Sequence, residues 1–310
     1  TTTQSSTSGA INLTTSTGSV TSTTTSLLGV KKKTLEDLQA LQAAGAYDVD
    51  IVEAIDEIAS DQSGSSSDTE SLIIALAQVV IDESNTTSSC SHRDARFTKT
   101  AARALNNVLT KGNVSSTALP NGAAVLSSLA CQAVTGDNST RSRSNLELLL
   151  SSAAVITESL ENVSEGSAVT GEGVASAVDL ICEAAGQNLS ADAGSQRLYA
   201  GGLELEVARI SDSRIEQGFS LGGFEVPGIE NTANDSVEVC NGGNVRPTTV
   251  HHVSWSLNPF LHAGSGELDV STRGPGVVQT FGLWTCGQER RVANLREPIR
   301  FWLSGSDIIS

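Results

Sequence analysis

The side chains best able to do chemistry gather late in the chain. His251 and His252 are adjacent, His262 follows, and Glu267 and Asp269 come soon after. Imidazoles and carboxylates together can hold a zinc ion or move a proton. Their spacing works against both uses, because neighbouring residues on an extended strand point to opposite faces. His251 and His252 therefore cannot readily share one ion, and His262 with Glu267 or Asp269 would have to fold back onto one of them. Ser254 lies beside His252 without the G-x-S-x-G context of a nucleophile elbow. The acids Asp48, Asp50, Glu53, Asp56 and Glu57 lack the spacing and central glycine of an EF-hand loop and read as a solvated helix face. No phosphate-binding glycine loop occurs, and the five cysteines are too widely spaced for the CxxC pairs of zinc or redox centres. The expectation is a chain with no catalytic residue, no metal and no cofactor, and not an enzyme. A secreted hydrolase built from His251, His252, His262 and an acid is the least favoured alternative.

Composition narrows the partners. A formal net charge of -16 over 310 residues opposes nucleic acid, whose affinity rests on cations meeting phosphates, and it repels an anionic lipid surface. The run Lys31 to Lys33 precedes a helix and reads as its solvated approach. No uninterrupted apolar run is long enough to span a bilayer, so direct membrane insertion by this segment is not expected. No signal peptide is visible either. The chain has no methionine and starts inside a Thr/Ser tract, which leads us to expect a piece of a larger protein. That tract, residues 1-30, cannot bury enough apolar surface to offset its ordering entropy and reads as a stalk or linker, O-glycosylated or bare.

Helical spacing runs from Thr34 to about Asn188. Segments are drawn at about 34-60 (with a break near Gly45), 68-83, 92-111, 119-134, 142-163 and 170-188. The second is almost wholly apolar, from Leu72 to Ile81, and is expected to be central. Ser144 and Glu147 have capping-box spacing. Short polar connections predict antiparallel neighbours. After about Gln196 the texture becomes β: Leu203, Leu205 and Val207 alternate with Glu204 and Glu206, Gly218 to Gly223 reads as a turn, and Phe224 to Val226 and Val237 to Val239 as strands. Further strands are expected at Val250 to Leu257, half-buried through Val253, Trp255 and Leu257, then at Leu268 to Thr272, Val277 to Trp284 and Ile299 to Leu303. The fold class is α+β: a helical subdomain over residues 31-192, then an antiparallel β-sandwich subdomain over residues 193-310.

The turn Asn258-Pro259-Phe260, the segment Val270-Ser271-Thr272 and the run Asn294-Leu295-Arg296-Glu297-Pro298-Ile299 together resemble the last strands of a GAIN domain of the polycystin type. That family sits outside the cell next to the membrane, in polycystin-type proteins and adhesion receptors, and carries helices before a β-sandwich, the order seen over residues 34-310. Its autoproteolysis triplet, His-Leu-Thr or similar, should follow the last strand here. It does not occur in this sequence, so no cleavage role falls on any residue present. The resemblance implies an extracellular or cell-surface module, with the ciliary membrane as one setting. It would hold a membrane-proximal C-terminal segment of the same parent protein and meet other extracellular segments. A glycosylated segment of an extracellular fibre or ciliary coat is the alternative.

An extracellular setting favours disulfides. The expected pairs are Cys240 with Cys286 in the β half and Cys131 with Cys182 in the helical half, leaving Cys90; reduced, buried cysteine is the other reading. N-glycosylation sequons stand at Asn12, Asn85, Asn113, Asn138, Asn162, Asn188 and Asn234, mostly at expected helix ends or loops.

Overall fold

The computed structural model describes residues 33-61, 65-81, 93-160, 167-228, 247-259, 278-285, 288-289 and 297-301. Seven helices come first: α1 (Leu35–Ala43), α2 (Asp48–Asp61), α3 (Ser66–Val80), α4 (Ala95–Lys111), α5 (Leu119–Thr135), α6 (Arg143–Leu160) and α7 (Ser167–Gln187). The starts follow local chemistry. Thr34 and Asp37 form a reciprocal capping box at α1. Ser65 and Asp94 cap α3 and α4 by accepting from Asp68 N and Phe97 N. The expected first segment is broken at Gly45, whose φ of 67° is left-handed and ends α1. The expected capping box at Ser144 is not used: the helix begins one residue earlier, and the Glu147 carboxylate instead accepts from Arg143 Nε at 2.7 Å.

Consecutive helices reverse direction, so every second helix runs the same way. Arg93 Nη1 meets Asp48 at 2.7 Å, Arg96 meets Glu53, Arg103 Nε meets Asp56 at 2.7 Å, and Lys111 Nζ meets the Ser60 carbonyl at 2.9 Å. The order of these contacts makes α2 and α4 parallel. Glu70 accepts from Thr117 Oγ1, and Ser128 Oγ donates to the Val80 carbonyl, which makes α3 and α5 parallel. The acids of α2 are thus an ion-pair ladder to α4, with Lys33 on Glu57 at 2.9 Å, where a merely solvated face was expected. Asp56 is nearly buried, and its second oxygen accepts from Asn107 Nδ2 at 2.8 Å. The central helix is α5, which packs against α3, α4, α6 and α7. The helix expected to be central, α3, leaves Ile74 40% exposed.

The β half begins at β1 (Ser195–Ala200) and continues with β2 (Leu203–Ile210), a short α8 (Asp212–Gln217), β3 (Gly218–Leu221), β4 (Phe224–Pro227), β5 (Thr248–Trp255), β6 (Val278–Thr285), β7 (Gln288–Glu289) and β8 (Arg300–Phe301). The order β1-β2-β5-β6-β7 makes one antiparallel sheet and β3-β4-β8 a second. The stretch expected to be a turn from Gly218 is itself strand β3. Only Gly222 and Gly223 turn, with φ of 58° and 81°, the paired positive values that a two-residue hairpin needs. The fold is α+β, as expected, but layered in three: helices, large sheet, small sheet.

Register shows which residues face which layer. Leu203, Leu205 and Val207 pair with Trp255, Val253 and His251 and point at the helices, where they share one core with Leu149, Val178 and Ile181. Ile210, Val250 and Leu283 point the other way and join Ile215, Phe219, Leu221 and Val226 of the small sheet's layer. The helices α6 and α7 carry the large sheet. Gly186 on α7 allows a close approach, since a methyl there would overlap Thr249. Expected strands at 237-239 and 268-272, the tract 1-30 and the end of the final strand lie outside the described residues.

Trp255 is 1% exposed at this helix-sheet joint, with its indole N–H donating to Thr280 Oγ1 at 3.3 Å. Trp255→Ala should cost about 3–5 kcal/mol and lower the midpoint in thermal circular dichroism by roughly ten degrees. A midpoint within a degree of wild type would show that the two halves do not depend on this joint.

Candidate functional site

Strand β5 carries the chemistry-bearing pair, and both its faces are covered. The half-buried strand expected from alternation is instead buried on both sides, because the small sheet covers the face that holds Val250 and His252. His251 is 1% and His252 7% exposed. Their rings lie on opposite faces, as period-two geometry requires, and they do not converge.

On the helix face, His251 Nε2 lies 3.1 Å from Asp179 Oδ1 of α7, and its Nδ1 has no partner. Gly282 opposite gives the ring room: a methyl there would overlap it. Cys182 sits one helical turn from Asp179. It is a free thiol, wholly buried, and burial pushes its pKa well up, with Asp179 and Glu183 adding to the shift. A thiol held protonated in this way is a poor nucleophile. The expected Cys131–Cys182 bridge is therefore not formed. Cys182 packs into the shared core, whereas Cys131 at the end of α5 is disulfide-bonded to a cysteine outside the described residues. Cys90, Cys240 and Cys286 all lie there, and with them the expected Cys240–Cys286 pair.

On the outer face, Glu206 accepts from Ser195 Oγ at 2.7 Å and pairs with Arg197 Nη2 at 3.1 Å. His252 shares that face, stacked against Phe224 at a centroid distance of 5.3 Å, with Nε2 unpartnered. Gly222, which a side chain would drive into this ring, closes it off. A neighbouring cleft of about 270 Å³ is lined by Asp192, Ser195, Glu206, Arg209, Arg214 and Ser220. Hydrogen bonds from Ser211 hold the Asp192 carboxyl below its ordinary range. They fasten the α7–β1 connection to the end of β2, where Asp192 N also donates to the Arg209 carbonyl at 2.7 Å.

Among the described residues, no three His, Cys, Asp or Glu side chains converge as metal ligands. His262, Glu267 and Asp269 lie outside them. No helix among the described residues is long and apolar enough to cross a membrane.

The three sequons among the described residues fall at the ends of the helical layer. Asn113, Asn138 and Asn188 are exposed in the turns after α4, α5 and α7. Asn138 and Asn188 share one end, joined by Arg141: its guanidinium donates to Asn138 Oδ1 at 3.2 Å and to Gln187 Oε1 at 2.5 Å, and its carbonyl accepts from Asn188 Nδ2 at 2.6 Å. Asn12, Asn85, Asn162 and Asn234 lie outside the described residues. The interlayer arrangement of the two histidines was readable from their adjacency. The partner Asp179, far away in sequence, was not.

No protein-family model and no curated protein matches this chain. Among solved structures, the chain is similar to one described as the full extracellular region of zebrafish Gpr126/Adgrg6, at 11% identity and a TM-score of 0.29. The match covers 78% of this chain and 28% of that one, so the chain spans little more than a quarter of that region. A likeness this weak assigns neither fold nor function.

Burial pushes the His252 imidazole below its ordinary 6.5, while Glu206 and Glu204 pull it upward. The unfolded chain thus takes up the proton first. The contribution of His252 to stability is whole above 6.5 and is lost as pH falls through that value toward the depressed folded pKa. His252→Gln should flatten the fall of the melting midpoint between about pH 7.5 and 5. An unchanged slope in calorimetry would remove His252 as its source.

Proposed function

We propose that this chain is an extracellular, GAIN-like structural and interaction module of a larger cell-surface protein, with no turnover chemistry of its own. The observation that carries the reading is the disulfide at Cys131, a bond that persists in oxidising compartments. The exposed Asn113, Asn138 and Asn188 add to it, since each is a sequon asparagine in a surface turn.

The working part is the small sheet. Strand β8 pairs with β4 through Arg300 and Phe301, and its other edge has no strand partner among the described residues. An open edge offers backbone N–H and C=O groups to an added strand. The occupant we propose is a C-terminal segment of the same parent protein, held by backbone hydrogen bonds, with other extracellular segments as further partners. Load on that edge passes through the small sheet to the Phe219, Val250 and Leu283 layer, then through β5 to the helices. The strand buried on both faces makes the module suited to holding rather than hinging.

Peptide mass spectrometry on chain secreted from eukaryotic cells tests the placement. Glycan should be found on Asn113, Asn138 and Asn188, with Cys131 protected from alkylation until reduction. Bare asparagines together with five alkylated thiols would sink the extracellular reading.

A further inference from the structure

We propose that His252 makes the small sheet an acid-sensitive layer: when its ring takes up a proton, the β3–β4 hairpin lifts from the large sheet while the joint between sheet and helices stays closed. The opening rests on the packing around His252, and only its consequence for a held segment rests on the function proposed above.

His252 stands at the seam between the two sheets, 7% exposed, with Nε2 unpartnered. The turn of the hairpin lies directly on its ring, because a methyl at Gly222 would come within 2.2 Å of Nδ1. Phe224, the first residue of β4, packs on the same ring at 5.3 Å and on Phe281 of β6 at 5.2 Å, and Phe281 meets Phe219 of β3 at 6.3 Å. The hairpin is thus held on the large sheet through a row of rings that includes the imidazole. A neutral ring fits such a row. An imidazolium has two N–H donors and a charge to hydrate, and the hairpin must move away to admit the water.

The neighbouring charges do not remove that need. Glu206 stands directly across on β2, yet Oε1 is taken by Ser195 and Oε2 by Arg197 of β1. Glu206, Glu204 of β2 and a hydrogen bond with Gln279 of β6 favour the proton; His251, on the opposite face of β5, disfavours it, and burial outweighs the favourable three. Tyr199 of β1 lies across from Glu204 and is 54% exposed. From the hairpin, Gly222 and Phe224 bring no charge, and Glu225 belongs to the outward row Ser220, Glu225 and Arg300. The inner joint differs, since His251 Nε2 lies 3.1 Å from Asp179 Oδ1 of α7 and a proton there gains a carboxylate partner. Acid therefore acts on one face of β5 and spares the other.

The layer can move by itself because it is thinly attached, through the cluster of Phe219, Val250 and Leu283 and the two-residue pairing of β4 with β8. Lifting it disturbs that β4–β8 edge, so a segment held there would leave in acid. The lifted state takes its proton at the ordinary 6.5 and the closed state only at lower pH, so closure is complete above 6.5 and weakens below it. One proton sets the ceiling at roughly thirtyfold near pH 5.

Hydrogen exchange of the full chain, read by mass spectrometry at about pH 7.5 and 5 and corrected for intrinsic rates, tests the device. Protection over the β3–β4 hairpin should fall about tenfold and should stay below that of α5 and α7 at both pH values. His252→Phe keeps a ring against Phe224 but binds no proton, and it should abolish the fall. His252→Asn should do the same, which keeps the test decisive where the larger ring folds poorly, and His251→Gln should retain the fall. Wild-type protection that does not change with pH, a hairpin that exchanges only together with α5, or a fall that persists in the His252 variants would each overturn the proposal. Any of these failures leaves the extracellular reading intact, since glycan and disulfide mapping tests that separately.

Discussion

The constraint on which the rest depends is the double burial of β5. A strand with one wet face can carry polar side chains there at no cost, but β5 has a layer on each side, so every polar group on it needs a place. Thr248 meets Thr285 at 2.9 Å, His251 meets Asp179, and Trp255 meets Thr280. These contacts are directional where hydrophobic packing is not. They fix the register of β5 against β6 and its height against α7, because a slip of one residue would send each imidazole into the wrong layer. The neighbouring layers are shaped to match: glycines at 186, 222 and 282 stand where a side chain would strike Thr249, His252 and His251.

That constraint explains why the described helices and strands pack as one unit. The helical half supplies more apolar face than its own helices cover, since its buried side chains form one cluster with those of the large sheet. The large sheet supplies Leu203, Leu205, Val207, Val253 and Trp255 in return. Neither half closes its own core without the other. The small sheet is the peripheral layer, joined through a short apolar cluster and edged by a two-residue pairing at β8. Stability thus falls off from the shared core to that edge, and the segment we propose as a holder of added strands is the part least encumbered by packing.

Much of the fold was legible because it rests on local rules. The helix start at Thr34, the break at Gly45 and the alternation of Leu203 to Val207 are properties of a few adjacent residues. What escaped was set by residues far apart in sequence. The α2 acids looked solvated because their partners Arg93, Arg96 and Arg103 stand some forty residues away in sequence. Their repeat on α4 was a visible signal that the two charged faces could meet. The run from Gly218 looked like a turn because of its glycines, yet Gly218 opens strand β3 and only Gly222 and Gly223 turn. Cys182 looked like a partner for Cys131 because both lie on helices; only the packing reveals that Cys182 is wholly inside the core as a free thiol while Cys131 is only partly buried.

The charge distribution joins these observations. A net charge of -16 disfavours compaction through self-repulsion, yet the acids of α2 lie side by side along one helix. They are tolerable there because α4 runs parallel to α2 and presents cations in the same order, with Asp56 given a guanidinium and an amide as it loses water. Parallel alignment requires the intervening α3 to turn back, and it must do so at a fixed height for the ladder to stay in step. The contacts of Val80 with Ser128 and of Thr98 with Gln132 set that height from both sides. The ion-pair ladder, the reversal of α3 and the anchoring of both at the end of α5 are therefore one arrangement. Losing the anchor would let α4 slide along α2, and an acidic face that is paired only in one register would become a repulsive one.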